Sequence, residues 1–343
     1  MKVTVVAEQL RRRVPGGIGT YARGLLSGLR EVAPDLDLDV LRSRLPTQVL
    51  TRAWDRGLLG PPLGRSDGIL HATSLAFPPP RRAALTVMVH DVAWRQVPDA
   101  FPRRGRLWHE RALQRALDHA KRIVVPSPVV RQQVAAMAPV VVIEEGCDHL
   151  PRADHAGARR LLSTAGLTAP EDGYVLTVST LEPRKNLRAL VDAHARSGVT
   201  LPLVIAGPQG WSGTADAGDA AGRARDNVHF VGAVNDAALA GLYAGATLFA
   251  YVPLVEGFGL PPVEAMHAGV PVIASDAVPS VADAAQLVDA TDVDAIAAAF
   301  DRVTTDVDLR THLVEAGRRR SAVLTWAEAA KRHLALWEEV AAE

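Results

Sequence analysis

Apolar residues along this chain gather in short runs, and between the runs they recur every three or four positions. In the first half the runs are VTVVA (3–7), GILHAT (68–73), LTVMVHD (85–91), RIVVPS (122–127) and VVVIEE (140–145). In the second they are YVLTVST (174–180), LPLVIAG (201–207), VHFVGA (228–233), TLFAYVP (247–253) and PVIAS (271–275). Runs rich in Val, Ile and Leu read as strands covered on both faces, and the helix-period stretches between them read as crossovers of parallel βαβ units. The pattern predicts two doubly wound α/β domains in tandem. A breaker-rich stretch between Gly146 and Asp172 separates them, giving domains at 1–160 and 161–325. In the tail, Trp326, Ala330, Leu334 and Trp337 share a helix face. That helix, 326–343, either completes the second domain or packs back on the first. Residues 209–227, rich in Gly, Ala and Asp, read as a mobile surface loop.

The 343 residues are 48% hydrophobic and 22% charged, enough apolar material for two cores and too much for wholesale disorder. The formal net charge is zero, but residues 1–160 hold 25 Lys/Arg against 15 Asp/Glu, and residues 161–343 hold 13 against 23. A basic half joined to an acidic half suggests different partners for the two domains. Nucleic acid is not among them, because the arginines are scattered and aromatic residues amount to only 5%. No apolar run approaches the ~18 residues of a spanning helix, and the N-terminus lacks the apolar core of a secretory signal. A single cysteine, Cys147, forms no intramolecular disulfide, so a reducing, cytoplasmic location is expected. Arg103, Arg104, Arg106, Arg111, Arg115, Lys121 and Arg122 form a basic helical region. It either touches an anionic membrane from the inner face or is simply solvated.

Open α/β sheets bind ligands beyond the carboxyl ends of their strands, so the residues just after each run carry the candidate chemistry. Past the first run, Gly16, Gly17 and Gly19 precede a helical pattern beginning near Thr20. Bare backbone at a helix start suits a phosphate or a sugar. Gly17-x-Gly19-x-x-Ala22, with Asp37 or Asp39 about 20 residues on, also fits the looser dinucleotide fingerprint, although Arg11, Arg12 and Arg13 lengthen the turn beyond what that fingerprint expects. A turn of no chemical role fits equally well. His90 and Asp91 end the third run. There His90 would donate to a ligand hydroxyl with Asp91 orienting it, or else sit under a loop. Arg184 and Lys185 stand before Asn186, a candidate N-cap. Two cations at a helix start oppose the macrodipole, which makes sense when a doubly charged ligand such as a diphosphate docks between them; solvated surface cations are the plainer reading.

Most of the chemistry gathers in VPLVEGFGLPPVEAMHAGVPVIASD (252–276). A glycine loop leads into a helix opened by Pro261 and Pro262 and stopped by Gly269. Prolines lack N–H groups, so the free donors are chiefly those of Phe258, Gly259 and Leu260, a nest for an anion or a hydroxyl. Glu264, near the helix start, complements the dipole. Glu256, beside Val255 in a loop, has no such structural reason. Two carboxylates flanking one donor nest suit a ligand that carries both hydroxyls and phosphates.

VEGFGLPPVEAMHAGVPVIAS resembles the Glu-x7-Glu segment of the retaining glycosyltransferases of family 4, the group 1 type, which have the GT-B fold. VSTLEPRKNL resembles that family's diphosphate-binding Arg-Lys segment. GGIGTYARGLL, His90-Asp91, RIVVPS and VVVIEEG resemble its N-terminal landmarks in the same order. The resemblance implies two Rossmann-like domains facing a cleft. It implies that Glu256 contacts the transferred sugar and Glu264 the nucleoside ribose. Arg184 and Lys185 would hold the diphosphate together with the amides of Phe258, Gly259 and Leu260, while Gly17 and His90 would close the site from the first domain. The chain departs from the family after Asp276, where the loop is shortened and Ser280 stands where Glu is common. It departs again at Glu145-Gly146-Cys147, where Asn-Gly and an aliphatic residue are usual. Cys147 reads as a small packing residue and not a nucleophile.

The resulting expectation is a retaining, metal-independent transfer of a hexose, mannose favoured, to an acceptor hydroxyl in glycan, glycolipid or polysaccharide synthesis. The donor would be GDP-mannose or a UDP-hexose, and the acceptor a sugar, a lipid-linked molecule or another small molecule, chosen by loops 43–66 and 94–106. No cofactor is expected. Arg184, Lys185 and the helix-start amides would stabilise the leaving diphosphate, and no Asp-x-Asp stands at a suitable place for a metal. Three other readings stay open: a nucleotide-sugar epimerase on the same fold, an NAD-dependent oxidoreductase built on Gly17-x-Gly19-x-x-Ala22, and a non-catalytic partner subunit. Retention of both glutamates and both cations argues against the last.

Overall fold

The computed structural model describes residues 1–11, 16–43, 45, 47–58, 68–80, 82–134, 139–167, 169–208 and 227–343. The expected mobile loop lies outside them except for Asn227, as do Arg12, Arg13 and part of the 43–66 loop. The chain divides into two compact units, Met1–Gly146 with Leu324–Glu343, and Cys147–Val323. Against the expected boundary at 160, the division falls at the start of the breaker-rich stretch, and residues 147–160 go with the second unit.

The first unit runs β1 (Lys2–Val6), α1 (Gly16–Val32), β2 (Asp37–Leu41), α2 (Thr47–Asp55), β3 (Ile69–Ala72), β4 (Ala84–Met88), α3 (Ala93–Gln96), α4 (Arg103–His119), β5 (Arg122–Val125), α5 (Pro128–Val134) and β6 (Val140–Val142). The second runs α6 (His155–Thr164), β7 (Val175–Val178), α7 (Leu187–Arg196), β8 (Leu203–Ala206), β9 (Val228–Gly232), α8 (Asp236–Gly245), β10 (Leu248–Tyr251), α9 (Leu260–His267), β11 (Val272–Ser275), β12 (Gln286–Val288), α10 (Val293–Thr305) and α11 (Val307–Ala322). The last helix, α12 (Trp326–Ala342), returns to the first unit.

Both sheets are six-stranded and parallel, ordered β2-β1-β3-β4-β5-β6 and β12-β11-β10-β7-β8-β9. Every predicted run is a strand. Interior strands are covered on both faces: Val3 and Val5 of β1 join Tyr21, Leu25 and Leu29 of α1 in one apolar layer, while Val6 joins Trp94 and Leu113 in the other. The strands missing from the sequence reading are edges. β2 alternates exposed Asp37 and Asp39 with half-buried Leu38 and Val40, and β12 is 3 residues long. α1 begins at Gly16, ahead of the expected Thr20, because Gly16 takes the left-handed φ of +62°. Asp37 and Asp39 sit at the amino end and centre of β2, away from the carboxyl end where a dinucleotide's ribose is met. The oxidoreductase reading thereby loses its acidic residue.

α12 packs on α1, which makes room with glycines. A Cβ at Gly24 would lie 2.0 Å from Trp326 Cε2, and one at Gly28 would lie 2.2 Å from the Trp326 carbonyl oxygen. Two members of the expected basic region are internal ties: Arg122 pairs with Glu339 and Glu343, and Arg115 pairs with Asp55 at 2.5 Å and lies over the Phe77 ring. Arg103, Arg104 and Arg111 remain exposed on α4.

Between α1, α12 and the sheet runs a buried polar chain whose protons can be assigned link by link. His333 Nδ1 donates to the Ala329 carbonyl at 2.8 Å, leaving Nε2 to accept from the Tyr21 hydroxyl at 2.9 Å. The Tyr21 oxygen accepts from His71 Nε2 at 2.9 Å, and His71 Nδ1 accepts from the Thr86 hydroxyl at 2.9 Å. The Thr86 oxygen accepts from Trp337 Nε1 at 3.2 Å. Neutral rings satisfy every member with one proton per link. Burial holds both imidazoles in that state: His71 lies well below the usual His range, and His333 is lowered to about 4. An unfolded histidine takes up its proton near pH ~6.5, so this stability is whole above that pH and is lost as the pH falls toward the folded value. For His333 alone, lowered to about 4, the loss is about 3 kcal/mol. Thermal melts should show Tm falling between about pH 7 and about pH 4.5, and falling less in His333→Gln. Parallel pH dependences in the two proteins would contradict the neutral network.

Candidate functional site

In the second sheet β7 pairs with β8 on one side and β10 on the other, so the strand order reverses between β7 and β10. Ligands of open α/β sheets bind outside the carboxyl ends at such a reversal. The loops leaving it are 179–186 after β7 and 252–259 after β10. Asn186 joins them. It takes left-handed backbone (φ 56°, ψ 32°) and makes no side-chain cap; its Nδ2 instead donates to the Val252 carbonyl at 3.1 Å and the Ala290 carbonyl at 2.7 Å. The expected N-cap is thus a tie that holds the Pro183–Lys185 turn against the loop after β10. The Leu254 amide reinforces it, donating to the Arg184 carbonyl at 2.9 Å.

That tie brings Arg184, Lys185 and Glu256 together. Lys185 Nζ lies 2.6 Å from Glu256 Oε2 and donates to the Tyr251 hydroxyl at 2.6 Å, and that hydroxyl donates to the same carboxylate oxygen at 2.7 Å. Arg184 Nη1 is 3.7 Å from this oxygen, and Arg184 Nε is 2.6 Å from Glu182 Oε1. Burial pushes the Glu256 carboxyl up, but the Lys185 and Arg184 charges outweigh it and hold the group at about 2. Burial, with the Arg184 charge, draws the Lys185 ammonium below its ordinary value. Burial raises the Glu182 carboxyl against the pull of Arg184 and Lys185. At the same strand end, the buried Thr177 Oγ1, Ser179 Oγ and Glu182 Oε2 have no hydrogen-bond partner among the described residues. Buried polar atoms are rarely left unsatisfied, and here they cluster where a polar ligand is expected.

Phe258, Gly259 and Leu260, the expected donor nest, lie at the turn that opens α9. Gly259 caps α9 with φ 97°, and a Cβ there would lie 2.6 Å from Val278 Cγ1. Ser280 fixes the carbonyl side of this turn: its amide donates to the Phe258 carbonyl at 3.0 Å and its hydroxyl to the Gly259 carbonyl at 2.6 Å. The shortened loop therefore buttresses the nest. Glu264, buried on α9, accepts from the Tyr243 hydroxyl at 2.7 Å and faces His149 Nε2 at 3.3 Å. Cys147 is fully buried, and burial followed by the Asp148 and Glu264 charges pushes its thiol up to about 12, in keeping with packing.

Gly17 and His90 belong to the first unit. Gly17 is exposed on the first turn of α1. His90 follows β4, with Nδ1 3.0 Å from Glu145 Oε1 and Nε2 3.0 Å from the Thr73 carbonyl oxygen. The orienting carboxylate is Glu145; Asp91 instead accepts from the Ala93 amide at 3.0 Å. Sequence reasoning gave no role to Tyr251, Tyr243, His149, Glu182 or Glu145. The first looks like an ordinary strand aromatic, and the partners of the others are set by chain crossings that no local spacing reveals.

Comparison with known proteins bears on the whole chain. A family profile described as Glycosyl transferases group 1 matches residues 162–320. The O-antigen chain mannosyltransferase B of Escherichia coli is 30% identical over 279 residues, which cover 76% of this chain and 71% of that protein. Among solved structures, Anabaena HepE in complex with UDP and glucose is similar over 99% of this chain and 100% of its own, with a TM-score of 0.75 at 16% identity. Sucrose-phosphate synthase from Thermosynechococcus elongatus is similar over 100% of both chains, with a TM-score of 0.73 at 20% identity.

Proposed function

Because the chain belongs to the group 1 glycosyl transferases and has their GT-B fold of two doubly wound sheets, we propose that this glycosyltransferase moves mannose from a nucleoside-diphosphate donor to an acceptor hydroxyl with retention of configuration. One observation carries the donor assignment: Arg184, Lys185 and Glu256 converge at the β7/β10 reversal, beside unsatisfied polar atoms. The diphosphate lies against the two cations and the Phe258–Leu260 amides, and the ribose hydroxyls donate to Glu264. As the glycosidic bond breaks, negative charge grows on the leaving diphosphate. Arg184 and Lys185 supply the countercharge, so the transfer needs no metal. GDP-mannose is the favoured donor, because the Escherichia coli relative is a mannosyltransferase; UDP-sugars come next, because HepE binds UDP. The acceptor is a sugar of a growing polysaccharide or a lipid-linked precursor. Exposed Arg103, Arg104 and Arg111 with Leu107 on α4 suit contact with an anionic membrane from the cytoplasmic side. No helix among the described residues is long and apolar enough to cross one.

A thermal-shift panel of GDP, UDP and ADP with their sugars tests the donor, since a ligand at 100 times its dissociation constant adds about 2.7 kcal/mol. GDP-mannose should give the largest shift. Transfer to a mannose-containing acceptor should proceed unchanged in EDTA. A rate that collapses in EDTA and returns with Mn2+ would overturn the metal-free assignment. Conversion of donor to its epimer without acceptor would favour an epimerase.

A further inference from the structure

We propose that Arg320 is a positioning residue whose guanidinium, acting through Ser280, turns the Gly259 and Leu260 amides toward the donor diphosphate; this deepens, and rests on, the glycosyl-transfer reading above. Fully buried Ser280 holds two successive carbonyls, that of Phe258 through its amide and that of Gly259 through its hydroxyl. In a trans peptide the carbonyl and the N–H of the following residue point opposite ways, and the peptide bonds among the described residues are trans. Anchoring those two carbonyls on Ser280 therefore aims the Gly259 and Leu260 N–H groups away from it. The first amides of a helix have no partner within the helix, which leaves them to an anion.

Ser280 is itself held by Arg320, whose Nε donates to the Ser280 carbonyl at 2.7 Å. The guanidinium makes this bond charge-assisted, roughly twice as strong as a neutral one. The Pro279–Val281 turn needs such a hold. Ala282 closes it at φ 49°, a positive value that alanine rarely adopts and that persists only where the surroundings fix it. A glycine brings the helix that carries Arg320 close enough. α11 packs on α9, and a Cβ at Gly317 would lie 2.9 Å from Met266 Cγ. Arg320 follows three residues later on the same helix face, so this approach delivers its side chain to the turn beside the start of α9.

The test compares two variants of the full chain: Arg320→Met, which removes every donor of the guanidinium, and Arg320→Lys, which keeps the charge. Without ligand, hydrogen exchange followed by NMR should show the Ser280 amide losing about tenfold of its protection in Arg320→Met. Kd for GDP, or for UDP where that gives the larger thermal shift, should rise about tenfold. Kd for the matching nucleoside, which has no phosphate, should stay within about twofold. Arg320→Lys should fall between, and it carries the same comparison should the Met protein not fold. Ser280→Ala releases the Gly259 carbonyl, so Arg320→Met should cost less diphosphate affinity on that background than alone. Unchanged Ser280 exchange, equal losses of nucleoside and diphosphate affinity, or strictly additive effects of the two substitutions would overturn the proposal and leave Arg320 as a brace for α11 only. Failure of the glycosyl-transfer reading would show separately: neither GDP nor UDP would bind the unaltered protein, whereas the exchange measurement needs no ligand.

Discussion

Glu256→Gln should lower kcat by about 10^3-fold while leaving nucleoside-diphosphate affinity within about fivefold of the unaltered enzyme. The carboxyl is held at about 2, so Glu256 is a full anion at any working pH. In retaining transfer the sugar passes through an oxocarbenium-like state, and an adjacent anion stabilises the positive charge that develops only then. Removing it costs turnover far more than ground-state binding. Binding is spared for a second reason. In the unliganded chain Glu256 occupies Lys185 and Arg184, the cations proposed to hold the diphosphate, so on that reading its charge competes with the nucleotide. Glu264→Ala should do the converse. The ribose loses its acceptor, so Kd for GDP or UDP should rise by about 10-fold to 100-fold while kcat at saturation stays within about threefold. Calorimetry with the free nucleotides and initial rates at saturating donor separate the two. Equal, small effects from both substitutions would mean that the carboxylates are only solvated loop and helix-start charges.

How much of this was legible beforehand follows from where each feature is encoded. Strands written as mostly apolar runs were readable, whether interior, as β1, β3 to β5, β7, β8, β10 and β11, or at an edge, as β6 and β9. β2 and β12, each bonded to a single neighbour at a sheet edge, carry alternating or very short patterns that look like loop. The site splits the same way. Glu256, residues 258–260 and Glu264 lie within one loop and helix start, and Arg184-Lys185 within one turn, so spacing marked them as candidates and the resemblance carried by those segments supplied their expected roles. Asn186 was visible as a helix-start residue, but its bonds to Val252 and Ala290 depend on the parallel pairing of β7 with β10. The role of Ser280 was hidden too. Its place in the shortened loop looked like a loss of a common Glu, whereas the hydroxyl and amide secure the turn that presents the donors. Glu145 showed only as a departure from Asn-Gly, and its partner His90 lies 55 positions earlier in the chain.

Lys185→Met should be the most damaging single change to donor binding, because Lys185 serves two charges in turn. In the unliganded chain its ammonium neutralises nearly buried Glu256; in the proposed donor complex the same ammonium would meet the diphosphate. Truncating one member of a buried hydrogen-bonded charge pair costs about 2–5 kcal/mol, which predicts a rise in the donor Kd of about 30-fold to several thousand-fold. The change also leaves Glu256 with Arg184 at 3.7 Å and the Tyr251 hydroxyl as its remaining partners. Its carboxyl then rises from about 2 toward the ordinary range, and the unliganded protein loses stability as well as affinity. Two measurements therefore move together: the Tm without nucleotide falls, and the added Tm on saturating with GDP or UDP shrinks. Lys185→Arg, which restores a cation in a longer and planar form, should recover the first more fully than the second, since the fork cannot reproduce a point charge between a carboxylate and a phosphate. The pairing with Glu256 makes the result decisive in one direction. If GDP and UDP bind Lys185→Met as tightly as they bind the unaltered enzyme while its unliganded Tm drops, Lys185 is a structural counterion only and the diphosphate lies elsewhere.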